Sequence, residues 1–230
     1  HFTRTTPTLG NPDSDLASNE LLQAASGSGF VVSYDGHIIT NNHVIEGCEN
    51  VRIHRQGTTI DAVVVSRDPL NDLAVIKADF SPSIVFAIDN SNPQLMQDIY
   101  VAGYPFGQNI SSSLKVTRGI VSSLTGIGNN FSNMQIDASI QPGNSGGPIF
   151  DEAGNVIGVA VATLDILAAL ERFGTIPQNT NFGIKANVVS NFLVSNGVEP
   201  VDSSTSTMST SERGQLATDA TYYLSCWMTT

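Results

Sequence analysis

The sequence predicts an all-β protein whose short strands close into barrels or pack as a sandwich. Three observations carry this reading. Short β-branched runs recur at a spacing of about 8–15 residues from Gly27 onward, roughly a dozen of them in all. Turn pairs such as Asp35-Gly36 and Gln56-Gly57 punctuate them, and glycine there accepts the positive φ that tight hairpins demand. Among later segments the clear helix is Ala186 to Ser195, so the regular strand–helix alternation of parallel sheets is missing.

Residues 1–26 form an N-terminal arm rich in Thr, Pro and Asn, in which Ser14 and Asp15 are placed to cap a short helix running to Ala25. Phe30 to Ser33 and His37 to Thr40 then flank Asp35-Gly36 as a first hairpin, and Val51 to Arg55 and Thr58 to Arg67 flank Gln56-Gly57 as a second. Further strands are expected at Leu73 to Lys77, Asp98 to Gly103, Lys115 to Leu124, Met134 to Asp137, Ile149 to Phe150, Val156 to Thr163 and Phe182 to Lys185. In the helix, Val188, Val189, Phe192 and Leu193 share a face, and Gly197 stops it. Ser203 to Ser211 contains eight Ser or Thr in nine residues and reads as a flexible linker. The last stretch, Tyr222 to Trp227, is apolar and holds the only Trp, so it should dock on the body of the protein.

Of the 230 residues, 21 are acidic and 10 basic, for a formal charge of −11. Only 13% are charged, about half the ~25% of ordinary soluble domains. Ser, Thr and Asn supply 63 positions instead and make a neutral, hydrogen-bonding surface. Scattered cations argue against nucleic acid, whose phosphates need clustered Lys and Arg. No apolar run reaches the ~18 residues of a membrane span. The first residue is His1 rather than Met, which suggests a processed chain. Cys48 and Cys226 either form one disulfide, which would hold the terminal segment in place, or are two inert core thiols.

Gln141-Pro142-Gly143-Asn144-Ser145-Gly146-Gly147-Pro148 is the sharpest chemical signal. A Ser hydroxyl needs a base to take its proton and donors to receive the charge that develops on the attacked carbonyl. Gly143 lets the backbone bend so that its N–H and that of Ser145 can point at one oxyanion, while Gly146 and Gly147 keep side chains clear. The same string fits the Gly-x-Ser-x-Gly elbow of α/β-hydrolases, but those place their His after the Ser. All four His here (His1, His37, His43, His54) precede Ser145. The order is therefore His, acid, Ser. His43, at the end of a strand in Thr40-Asn41-Asn42-His43, is the candidate base; His37 and His54 read as surface residues. Asp72, leading into the apolar run Leu73 to Ile76, is the candidate orienting acid, and Asp68 before Pro69 reads as a turn residue.

The strings GSGFVVSYDGHIITNNHVI, DPLNDLAVIK, GYPFG, VTRGIVSSL, QIDASIQPGNSGGPIF and NFGIKANVV resemble the protease domain of HtrA/DegP-type serine proteases, of the trypsin/chymotrypsin superfamily. The resemblance runs from about Gly27 to Ser195. It implies two six-stranded antiparallel β-barrels over residues 27–198, with His43 and Asp72 from the first and Ser145 from the second, followed by a linker and aromatic tail over 199–230. It implies polypeptide substrates, chiefly unfolded or misfolded proteins, no cofactor, and the cell envelope or exterior as location. Ser139 and Ile140 should line the pocket before Ser145, with Ala160 on one wall and the strand through Thr163 pairing with substrate. No acid lies where it would select Lys or Arg, so small or medium aliphatic residues are expected before the scissile bond. Too few residues follow the helix for the PDZ domain that members commonly carry. The aromatic trimer motif is not evident in Phe2 to Ala25, so homo-oligomerisation, which the resemblance allows, lacks that support. Asn144 replaces the Asp that pairs with a new amino terminus in trypsin-like zymogens, which argues against activation by chain cleavage.

Weaker signals fill out the reading. His43, Cys48 and His54 lack regular ligand spacing, so no metal is expected. Asn109 and Asn130 fit glycosylation acceptors, and Leu164 to Arg172 fits a short amphipathic helix near the pocket. The competing function is a peptide-binding or chaperone-like module whose oxyanion loop is disordered and whose cleft does not turn substrate over.

Overall fold

The structure, a computed structural model, describes residues 20–55, 57–105, 113–162 and 180–229. In chain order the first strands are β1 (Leu21–Val31), β2 (His37–Thr40), β3 (Asn50–Arg55), β4 (Thr58–Asp68) and β5 (Leu73–Ala78). A two-residue strand β6 (Ala87–Ile88) leads to β7 (Asp98–Gly103), β8 (Lys115–Ser123) and β9 (Asn133–Ile136). Then come β10 (Pro148–Phe150), β11 (Asn155–Val161), β12 (Asn181–Lys185) and, at the end, β13 (Thr221–Thr229). The helices are α1 (Asn42–Ile45), α2 (Ala186–Ser195) and α3 (Thr210–Ala220).

Two six-stranded antiparallel barrels result. The first closes in the order β1-β13-β3-β4-β5-β2. The second runs β10-β7-β8-β9-β12-β11 and closes through the β10–β11 pairing, with β6 added in parallel on the outside of β11. β5 is buried on both faces at Leu73, Ala74, Val75 and Ile76, and closing the barrel leaves no strand with an unpaired edge. Among the described residues no helix is long and apolar enough to cross a membrane.

A file of aromatic rings joins the barrels. Phe30 of β1 meets Phe86 edge-on at 5.7 Å, Phe86 meets Phe150 of β10 at 5.4 Å, and Phe150 stacks on Tyr100 of β7 at 5.6 Å. Phe30, Phe86 and Phe150 are buried. Such pairs contribute about 0.5–1.5 kcal/mol each beyond their burial, and their edge-and-face geometry fixes one barrel against the other.

Both ends of the described chain differ from expectation. Residues 21–25, read as the end of a helix, are strand. Leu21-Leu22-Gln23-Ala24-Ala25 has good helical propensity, but pairing with β13 from Leu21↔Thr229 to Phe30↔Thr221 overrides it. The helix start expected at Ser14 lies outside the described residues. At the other end the Ser/Thr run is no free tether. The Asn155 side chain donates to the Ser204 carbonyl (2.7 Å) and accepts from the Ser204 amide (2.8 Å), clamping the run to β11. Ser209 then caps α3: its hydroxyl accepts from the Glu212 amide, and the Glu212 carboxylate accepts from the Ser209 amide at 2.7 Å. The aromatic tail beyond is β13, a full member of the first barrel between β1 and β3. Cys48 and Cys226 are joined by a disulfide across 178 residues.

Two His side chains read as surface residues are half-buried, one of them beneath that last strand. His54 is half-buried against Tyr223, ring centroids 5.0 Å apart, with Nε2 2.8 Å from Ser225 Oγ. His37 is half-buried beside Ser33, whose Oγ lies 2.7 Å from its Nδ1. Burial pushes both imidazoles below their ordinary value; Arg52 adds to this at His54, and at His37 Lys77 adds while Asp35 opposes.

Candidate active site

The first barrel supplies an imidazole and a carboxylate. β2 ends at Thr40 and the chain turns at once into α1, so His43 lies in a single helical turn after the strand rather than at its end. Asp72, just before β5, is in the left-handed region at φ 54°, which Asp tolerates better than most residues. In that conformation its carbonyl accepts from Asn41 Nδ2 at 2.9 Å and from the Asn42 amide at 3.2 Å. Its carboxylate accepts from the His43 amide at 2.9 Å through Oδ1 and meets His43 Nδ1 at 2.7 Å through Oδ2. An ionised carboxylate only accepts, so Nδ1 carries the proton and Nε2 is left as the basic nitrogen. The pair is partly open to solvent, with side-chain exposures of 33% and 29%. Asp68, by contrast, accepts from the Leu70 and Asn71 amides and shapes the loop before Asp72.

The second barrel supplies the hydroxyl. Pro142 and Gly143 are the central residues of a turn closed by the Asn144 amide donating to the Gln141 carbonyl at 2.9 Å. Gly143 has φ 99°, the left-handed value that position three of a type II turn requires and glycine allows. The Gly146 amide donates to Ala160 O at 3.0 Å and the Gly147 amide to Asn144 O at 2.9 Å. Among the described residues, the amides of Gly143 and Ser145 have no acceptor. Two neighbouring N–H groups are thus left free beside the Ser145 hydroxyl. Asn144 between them is buried, with its side chain against Gly103 of β7.

The two barrels meet at Gly146. A Cβ there would run into Ser28 O and Thr40 Oγ1 and come within 3.0 Å of the Asn41 amide, in a backbone already at φ 83°. Absence of a side chain is what lets the Ser145 loop sit against the segment leading into His43. Among the described residues, Ser145 Oγ accepts from the Ala162 amide at 3.1 Å and has no hydrogen bond to His43. Accepting from Ala162 leaves the hydroxyl proton available, and such nucleophile–base bonds are often formed only once substrate is in place.

The residues expected to line a specificity pocket are spread around this loop. Ser139 is exposed, its carbonyl accepting from Thr117 Oγ1 at 2.9 Å, while Ile140 and Ala160 pack into the interior of the second barrel. Thr163, Asn109 and the segment Leu164 to Arg172 lie outside the described residues. Cys48 is in a disulfide and has no thiolate to offer a metal. Sequence reasoning missed two polar residues that brace the site, Asn41 and Ser28. Both stand inside strings already singled out, Thr40-Asn41-Asn42-His43 and Gly27-Ser28-Gly29. The usable signal was a small polar residue next to a glycine or a catalytic candidate in an otherwise apolar strand.

Residues 27–159 match the trypsin-like peptidase domain family. An uncharacterized protein of Sinorhizobium fredii, y4bJ, is 38% identical over 223 residues, covering 96% of this chain and 34% of that protein. A probable periplasmic serine endoprotease of Brucella suis, DegP-like, is 42% identical over 145 residues, covering 60% of this chain and 28% of that one. Among solved structures, the serine endoprotease from Yersinia pestis superposes with a TM-score of 0.61 at 31% identity, covering 80% of this chain and 60% of its own. The HtrA-type protease AlgW gives 0.62 at 31% identity, covering 74% and 51%. The chain spans about a third of the length of these curated relatives. With a double barrel, a His–Asp pair on one side and a Gly-framed Ser on the other, the chain belongs to the trypsin-like peptidase family, with DegP/HtrA serine endoproteases among its relatives.

Proposed function

We propose that this domain is a working serine endopeptidase that cleaves polypeptides by acyl transfer through His43, Asp72 and Ser145. Ser145 Oγ attacks the scissile carbonyl carbon while its proton passes to His43 Nε2. The same proton then goes to the leaving amine as the peptide C–N bond breaks, and water repeats the sequence to release the acyl group. Asp72 holds the imidazole tautomer and balances the charge that His43 gains. The free amides of Gly143 and Ser145 receive the oxyanion. The observation that carries this reading is the pair of amides framing Ser145 that have no acceptor among the described residues, next to a segment whose His–Asp pair is held by three further hydrogen bonds to Asp72.

For substrates, the reading is unfolded or misfolded proteins with small or medium aliphatic residues before the scissile bond, supported by the sequence resemblance, which puts no acid at the position where a trypsin-like pocket would hold Lys or Arg. The cell envelope fits both the disulfide, which persists in oxidising compartments, and the relatives named as periplasmic. A fluorophosphonate probe tests the chemistry: wild-type protein should label at Ser145 and Ser145→Ala should not. A folded wild-type chain that neither labels nor cleaves an unfolded protein would refute the protease reading in favour of a peptide-binding module. A peptide library with Lys or Arg dominating before the cut would refute the specificity.

A further inference from the structure

We infer that Ser28, on β1 of the first barrel, is a positioning residue for the oxyanion turn of the second. This rests on the proposed function above, because it gives Ser28 a role only if the Gly143 and Ser145 amides bind an oxyanion.

Ser28 is fully buried, and each of its polar groups is engaged. Its amide donates to the Ser145 carbonyl at 2.8 Å. Its hydroxyl donates to the Gly143 carbonyl at 2.7 Å and accepts from the Tyr104 amide at 2.9 Å. Its carbonyl accepts from Thr40 Oγ1 at 2.8 Å. One residue of the first barrel therefore grips the carbonyls of the two residues whose amides have no acceptor among the described residues. The Gly143 carbonyl shares a rigid peptide plane with the Asn144 amide, bonded to Gln141 O, and the Ser145 carbonyl shares one with the Gly146 amide, bonded to Ala160 O. With both planes held, the chain on either side of the Asn144–Ser145 peptide is fixed, which limits where the Gly143 and Ser145 amides can point. Gly143 needs this more than most, since glycine in a type II turn has the widest choice of alternative backbone states. The Asn144-to-Gln141 bond closes the turn from one end; the Ser28 hydroxyl holds it from the other. Tyr104, at the end of β7, supplies the third point of the anchorage. Gly27, just before Ser28, gives β1 the close approach this requires: a Cβ there would come within 3.0 Å of Ser145 O.

Ser28 touches neither Oγ of Ser145 nor His43, so its effect should appear in the step that develops the oxyanion. Ser28→Ala should lower kcat by about 10–100-fold, a fraction of the ~10²–10³ lost when an oxyanion donor itself is removed, with KM unchanged. Affinity for a peptide boronate, which forms a tetrahedral adduct, should fall by a similar factor. Affinity of a Ser145→Ala background for an uncleaved peptide should not change when Ser28→Ala is added. Ile53→Val, a core change in the same barrel, controls for stability and should leave kcat intact. Ser28→Cys keeps the shape but donates weakly and should give an intermediate kcat. It also decides the matter if Ser28→Ala does not fold. Wild-type kcat and boronate affinity in Ser28→Ala, or in Ser28→Cys alone if only that folds, would overturn the inference while leaving the protease reading intact. An inactive, unlabelled wild type would instead remove that reading.

Discussion

Reducing the Cys48–Cys226 bond should weaken the fold much more than it changes it. The bond spans 178 residues, and loop-closure entropy for that length gives a stabilisation of about 5 kcal/mol at 25 °C, acting on the unfolded chain. The native state has little reason to move. β13 stays paired with β1 along its length and with β3 from Tyr223 to Trp227, and Tyr222, Leu224 and Cys226 remain buried. With an m-value of about 2–3 kcal/mol/M, the urea midpoint should fall by about 2 M on reduction. The protein carries its own reporter: Trp227, its single Trp, lies next to Cys226 with the Arg52 guanidinium 4.8 Å from its ring. Urea titrations of oxidised and reduced protein, followed by Trp227 fluorescence and far-UV circular dichroism, measure the shift. The double variant Cys48→Ser/Cys226→Ala should match the reduced protein. A shift below about 0.4 M, equivalent to about 1 kcal/mol at these slopes, would refute the reasoning and mean that the tail is held by strand pairing alone.

Three other outcomes follow from the same structure. Asp72→Asn should reduce kcat about 10⁴-fold with KM little changed, because an amide can present its N–H to His43 and turn the imidazole to the wrong tautomer; a loss under tenfold in steady-state kinetics would contradict the assignment. Gly146→Ala should yield an inactive and destabilised protein, since its Cβ meets Ser28 O and Thr40 Oγ1 at a positive φ; thermal melting and fluorophosphonate labelling read both effects. His37 and His54 are held below their ordinary 6.5 in the folded state, so the unfolded chain takes up protons first on acidification. Their contribution to stability is full above pH about 7 and is lost as pH falls from about 6.5 toward the lowered folded values. Tm should therefore drop between pH 7.5 and 5.5, and His37→Gln/His54→Gln should flatten that drop; an unchanged slope would count against it.

The middle of the chain was readable because its information is local. Hairpins announce themselves through Asp35-Gly36, and the Pro142-Gly143 pair already specifies the turn that frees two amides. The order of His43, Asp72 and Ser145 excludes the hydrolase elbow without any structure. What escaped was non-local or masked by composition. Ser209-Thr210-Ser211-Glu212 is a complete capping box, yet it sits inside a Ser/Thr run whose composition resembles a tether. The segment Leu21 to Ala25 has helical propensity and becomes strand only because residues some 200 positions away pair with it. His54 looked exposed because the strand that covers it comes from the far end of the chain. The pocket residues are the least legible: Ile140 and Ala160 are near Ser145 in sequence or pairing, but which walls they form depends on a loop whose course spacing alone does not specify.

The insertion of β13 between β1 and β3 sets an order on biosynthesis. Every strand of the second barrel leaves the ribosome before the first barrel can close, so the barrel that begins first is finished last. Pairings that distant raise contact order and slow the final closure, and until then β1 and β3 expose edges to other chains. A nascent chain of this design holds its His43–Asp72 pair in an unfinished barrel while residues 221–229 are still to be made, so under the proposed peptidase reading cleavage waits on the last strand.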